Sequence, residues 1–410
     1  MINGKAGCGI SYAVLRSGSA AACCALSIGC GTRDEGDFPS GMAHFTEHTL
    51  FKGTSRRSAA SVNSYLDRLG GELNAYTTKE DIVLHATTLR EDIQKGVSLL
   101  LEIASGAIFP EEEVETEKGV VIDEIISFRD TPSDEIFDEF EARFFNGHPL
   151  GTLVLGDEKS VSSISSEDLR RFVSERFLPE RMALTIVADI DEKQLEKIAI
   201  KLCDKYFHNC HRGSANYVRS LFSPAVEPFD VTIDKGNHEA NAVLGCEAPS
   251  LYSGKDRATA ILLANILGGP ASNSLLNSSL REKRGWVYSV ECSYTQYADT
   301  GLLAVSFGCD RSDVENCLRE TGRILSRLKE APMSEKTLKA AKKQICGQLA
   351  ISSDNTETQC LSMGKSLLAF GHTVSDSESR KMIMDVSAQD LYDMSRRLFA
   401  DGNMSKLVYL

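Results

Sequence analysis

Apolar residues recur along the chain in two rhythms. Short apolar runs at Ala21 to Ile28, Ile82 to Thr88 and Met182 to Ala188 predict strands, whereas helical spacing over Ala59 to Leu69, Ile93 to Ala107 and Glu111 to Phe128 predicts helices. These elements gather in blocks instead of alternating strictly. That order favours an α+β fold in which helices cover a mostly antiparallel sheet.

The pattern is written twice. Ser166-Glu167-Asp168-Leu169 stands where Ala388-Gln389-Asp390-Leu391 stands, and Met182 to Val187 matches Met404 to Tyr409, both at an offset of 222 residues. Phe109-Pro110 and Ala331-Pro332 share that offset, and a shift of one position pairs Arg90 with Arg311 and Asp92 with Asp313. Duplicated units are therefore expected, 1–207 and 230–410, with the polar, irregular stretch 208–229 as linker.

Composition narrows the field. A chain of 410 residues, 25% charged and 42% hydrophobic, is too long for a single core and too apolar for disorder. No apolar run reaches the ~18–20 residues that cross a bilayer, and Met1 to Cys8 does not open like a secretory signal. A cytoplasmic protein with no membrane partner is expected. The net charge of −13 argues against a nucleic-acid partner, which would need clustered Lys and Arg. Twelve cysteines without a spacing framework are expected to be small buried residues in a reducing compartment, and His208-Asn209-Cys210-His211 is a minor metal candidate without a second ligand pair.

The chemistry concentrates in His44-Phe45-Thr46-Glu47-His48, placed between the loop-forming stretch Asp37 to Gly41 and Gly53. On a helix, residues at i, i+3 and i+4 share a face, so both imidazoles and the Glu47 carboxylate point the same way. Two neutral histidines at that spacing suit zinc. A carboxylate just before the second is the candidate general base for hydrolysis, the inverse of the His-Glu-x-x-His order. The helix beginning at Glu111 is the expected source of a third ligand: Glu117 and Glu124, seven apart, share a face with Val114, Val121, Ile125 and Ile126, while Asp123 points elsewhere. Burying such carboxylates is costly without a cation or hydrogen-bond partners. The repeat supplies a control, since Lys339 and Cys346 replace Glu117 and Glu124 in the second half, which also lacks the histidine motif.

The run His44 to Thr54 resembles the signature of the pitrilysin/insulysin-like zinc peptidases, in particular the mitochondrial processing peptidase-like bacterial branch. The resemblance covers nearly the whole chain. It implies one Zn2+ per chain held by His44, His48 and Glu124, with Glu124 similar to the family's third ligand and Glu117 to its supporting acidic residue. Glu47 would be the catalytic base. Gly70-Gly71 and the following Asn74, Ala75, Tyr76 and Thr77 look like the glycine pair and edge strand on which a peptide substrate is laid by strand addition. Arg281 and Tyr288 resemble the family's Arg and Tyr pair that contacts substrate and supports the tetrahedral intermediate. The resemblance further implies a homodimer, or a heterodimer with a related chain, in which those two residues complete the opposite protomer's site. Thr46 and Thr49 stand where relatives often have larger apolar residues, and Trp286 stands where an aliphatic is usual, so packing and specificity are expected to differ from the family's more than the chemistry does. The function implied is a zinc endopeptidase acting on extended peptides or unstructured segments. Two other readings stand beside it: a non-catalytic peptide-binding or scaffolding subunit, and a cysteine hydrolase, for which no nucleophile elbow is visible.

Overall fold

The computed structural model describes residues 1–208, 219–222 and 227–410. Most of the expected linker, including Cys210 and His211 of the minor metal candidate, lies outside them. The chain forms two compact units. The first comprises Met1–Ser127, Thr152–Ser220 and Ile351–Ser375; the second comprises Phe128–Gly151, Leu221–Ala350 and Asp376–Leu410. Each therefore takes in one segment from the other half of the sequence.

The first unit is built on a six-stranded sheet. Its strands are β1 (Ile2–Lys5), β2 (Ser11–Arg16), β3 (Ala21–Ile28), β4 (Glu72–Thr77), β5 (Ile82–Leu89) and β6 (Met182–Ala188), in the order β1-β2-β6-β3-β5-β4. All neighbours are antiparallel except β2 and β6. One face carries the larger core, where Leu26, Leu84, Val97 and Leu100 meet with the helices of the unit. The opposite face is covered by helix Thr356–Phe370, whose Cys360, Met363 and Leu367 pack on Cys23, Ala25, Val83 and Val187. Gly364 permits this approach, because a Cβ there would stand 2.7 Å from Ser27 Oγ.

The second unit repeats the scheme with five strands: β7 (Asp230–Ile233), β8 (Glu239–Ala248), β9 (Val287–Gln296), β10 (Gly301–Asp310) and β11 (Ser405–Tyr409), in the order β7-β11-β8-β10-β9. Here β7 and β11 are the parallel pair. Helix Pro132–Phe144 covers one face, where Ile136, Phe140 and Phe144 pack with Val243, Leu302 and Leu407. A Cβ on Gly245 would lie 2.8 Å from the Phe140 ring, so a glycine again makes room.

The predicted elements are present within a residue or two of their expected bounds, the largest trim being helix Ala59–Asp67. The duplication is visible in detail. Helices Ser166–Arg176 and Ala388–Leu398 both begin with a capping box, Ser165 with Asp168 and Ser387 with Asp390. Every cysteine among the described residues is a free thiol, and all but Cys8 are buried. Among the described residues no helix is long and apolar enough to cross a membrane.

Candidate zinc centre

Helix Met42–Leu50 carries the histidine motif, and its start is fixed by two features. Gly41 caps it at φ 85°, a left-handed conformation that favours glycine, and a Cβ there would meet Leu155 O at 2.7 Å. The buried Glu35 carboxylate accepts from Ala43 N–H at 2.9 Å and Gly41 N–H at 3.3 Å, satisfying donors that a helix start leaves orphaned. Burial pushes Glu35 up to about 8 against the pull of those donors and of Lys79. Met42, Phe45, Thr46, Thr49 and Leu50 face the core. Thr49 donates to Phe45 O at 2.7 Å, whereas the fully buried Thr46 hydroxyl has no hydrogen-bond partner among the described residues. Beyond the helix, Thr54 donates to Glu102 at 2.9 Å, tethering the motif's last residues to a buried carboxylate.

The inward side of the helix leaves His44, Glu47 and His48 to face helix Glu111–Arg129 and the end of β4. The Glu124 Oε2 atom stands 3.7 Å from His44 Nε2 and 3.4 Å from His48 Nε2. One ligand atom from each of these three residues lies within 4.8 Å of the others. Tetrahedral zinc with bonds near 2.0–2.1 Å spaces its ligands about 3.3–3.5 Å apart. The donor set and its spacing therefore fit that ion, with no fourth protein ligand in the group. Asp123, the neighbouring carboxylate, does not join it.

Glu117 acts from behind. Its Oε1 lies 2.9 Å from His48 Nδ1, and its Oε2 lies 2.5 Å from Lys52 Nζ. A carboxylate on the far nitrogen fixes which imidazole nitrogen faces the ligand group. Burial alone would raise the Glu117 carboxyl, yet His48 and Lys52 outweigh it and hold it below its ordinary value. The histidines diverge for the same physical reasons. Burial and the charge of His48 bring His44 down to about 4, while His48 overcomes its own burial through Glu117 and Glu124 and rises to about 9. Glu124 is held low, first by its bond to His48.

Glu47 stays outside the three-residue group. Its Oε2 accepts from the Thr77 hydroxyl at 2.7 Å, and burial raises its carboxyl in spite of that bond. Thr77 ends β4, which is the edge strand of its sheet, as expected for the segment after Gly70-Gly71. Glu72, Asn74 and Tyr76 on that strand are exposed, while Leu73, Ala75 and Thr77 are half-buried.

The motif and its supports thus belong to one stretch of chain, Met1–Ser127 of the first unit. Two family descriptions match this chain: the insulinase family, Peptidase M16, over residues 13–158, and the Peptidase M16 inactive domain over residues 163–345. The chain belongs to the M16 peptidase family. Its similarity to individual members runs nearly end to end. It is 29% identical over 383 residues to the uncharacterized zinc protease YmxG of Bacillus subtilis, covering 93% of this chain and 91% of the relative. It is 28% identical over 379 residues to an uncharacterized zinc protease of Rickettsia bellii, covering 92% and 90%. Among solved structures, a protease from Helicobacter pylori superposes at a TM-score of 0.90 with 20% identity, covering 100% of this chain and 98% of the other. A peptidase M16 inactive domain from Pseudomonas fluorescens reaches 0.89 with 17% identity, covering 100% and 97%. At those identities the two structures establish the M16 fold alone.

The remaining expected residues lie in the second unit. Arg281 is exposed on the irregular helical turn Asn277–Glu282. Tyr288 lies on β9, exposed, with its hydroxyl donating to Asp310, which pushes the phenol up to about 12. Trp286 takes the Arg284 guanidinium over its ring at 5.1 Å. No local pattern in the sequence marks Glu35 or Lys52 for the parts they play here. Glu35 lies six residues before the cap it serves, too far for a local capping signal, and Lys52 was visible only as part of the motif.

Proposed function

We propose that this M16 family member is a zinc-dependent endopeptidase that hydrolyses extended peptides or unstructured protein segments. The observation that carries the reading is the placement of Glu47: a half-buried carboxylate beside the His44, His48 and Glu124 group but not part of it, with one oxygen held by Thr77. Zinc held by those three residues would supply Lewis acidity, polarising a carbonyl and making water a stronger acid. Glu47 takes the proton from the attacking water and returns it to the leaving amine. Its Oε2 is anchored on Thr77, which leaves Oε1 for that transfer. Glu117 holds His48 by its far nitrogen and Lys52 holds Glu117, so the ligand face keeps its orientation. An extended segment adds to β4 through main-chain hydrogen bonds at Asn74, Ala75, Tyr76 and Thr77, which suits substrates of varied sequence. Arg281 and Tyr288 contact substrate held by a second protomer. The Tyr288 phenol stays protonated at neutral pH, and turning its one O–H from Asp310 toward a developing oxyanion makes it the donor that such a site needs.

The test is metal analysis coupled to cleavage of an unstructured peptide. Purified protein is expected to hold about one zinc per chain, to lose cleavage on chelation, and to regain it when zinc is restored. Protein that holds no metal and cleaves nothing, yet binds peptide, would place this chain with non-catalytic binding subunits.

A further inference from the structure

We propose that Thr77 is a positioning residue that ties the general base to the strand on which substrate lies. The inference rests on the reading of Glu47 as that base. Thr77 is the last residue of β4, paired with Ile82 of β5, and the other edge of β4 carries no neighbouring strand among the described residues. Side chains alternate along a strand. Exposed Glu72, Asn74 and Tyr76 occupy one face, and Leu73, Ala75 and Thr77 occupy the face toward helix Met42–Leu50. The Thr77 hydroxyl therefore points at Glu47, from which it is 30 residues distant in sequence, and donates to Oε2 at 2.7 Å.

Two consequences follow from that one bond. It fixes which Glu47 oxygen is committed to the protein and which is free. Because the Thr77 backbone belongs to the substrate-accepting edge, it also sets the distance between the base and any peptide backbone laid on β4. A misplaced base costs rate more than binding. The hydroxyl should thus govern kcat and leave KM largely alone.

The experiment compares T77V, which keeps the shape and deletes the hydroxyl, with T77S, which keeps the hydroxyl and deletes a methyl group. T77V is expected to lose about 10–100-fold in kcat, with KM within about twofold of wild type and zinc content unchanged, and T77S to recover most of the loss. Wild-type kcat in T77V would overturn the proposal, as would a T77S variant as slow as T77V. A readout independent of turnover uses chelated protein: the unfolding midpoints of T77V, E47A and the double variant should be non-additive, because either change removes the same bond. Additive shifts would overturn it. If the bond is confirmed by that cycle while E47Q still cleaves peptide, the failure lies with the assignment of Glu47 as base, not with the Thr77 contact.

Discussion

Glu117 is almost wholly buried, and an isolated carboxylate would not be ionised there. It is kept anionic by His48 on one oxygen and Lys52 on the other. Removing its charge should loosen the metal without touching a ligand: E117Q is expected to weaken zinc binding about 10–100-fold in a chelator competition, and K52M to do so by a smaller factor in the same direction. Unchanged affinity in both would show that the histidine needs no partner. Glu35 makes a pH prediction. Its carboxyl is raised from an ordinary value of 4.5 to about 8, so the folded chain binds this proton more tightly than the unfolded chain. The associated stability is present below the ordinary value and is lost as pH rises through about 8. E35Q, which stays neutral, should therefore gain in unfolding midpoint relative to wild type between about pH 5 and 8. A constant difference across that range would contradict the shift.

Among the elements, two glycines where a helix packs on its sheet, Gly364 on the helix side and Gly245 on the strand side, have the clearest energetic role. Gly364 lies against Ser27, and Gly245 against Phe140, at distances that a side chain could not share. Replacing either with leucine should destabilise the protein by about 1–3 kcal/mol in denaturant unfolding, since a packed interior does not yield a methyl group's space freely. Gly322, exposed inside helix Val314–Leu328 with nothing within 4 Å, is the control: G322A should stabilise by about 0.5–1 kcal/mol. The element level also shows where sequence was readable. Strand β6 and helix Ser166–Arg176 announce themselves through local patterning and caps, and their twins β11 and Ala388–Leu398 announce the repeat. Helices Pro132–Phe144 and Thr356–Phe370 also have ordinary amphipathic sequences, but nothing local tells which sheet they cover. Their destination is decided by long-range fit, Gly364 against β3 and Phe140 against Gly245. The cluster on helix Met42–Leu50 was legible because helical spacing puts His44, Glu47 and His48 on one face. Thr77 on Glu47 and Glu35 on the helix start were not, because both contacts join residues brought together only by the tertiary fold.

For the whole molecule, duplication separates scaffold from chemistry. Both units share a five-strand order, β2-β6-β3-β5-β4 in the first and β7-β11-β8-β10-β9 in the second, and a covering helix, so those features are what the fold requires; the His44, Glu47, His48, Glu117 and Glu124 set occurs in the first alone, and Lys339 is exposed at the twin of Glu117. In the proposed mechanism Glu47 serves hydrolysis and not metal retention or folding. The most direct test is E47Q, assayed for zinc content and for cleavage of an unstructured peptide beside the wild-type protein. Full zinc occupancy with cleavage reduced by about 10²–10⁴-fold is the expected result, whereas an E47Q variant that cleaves at the wild-type rate would contradict that role for Glu47.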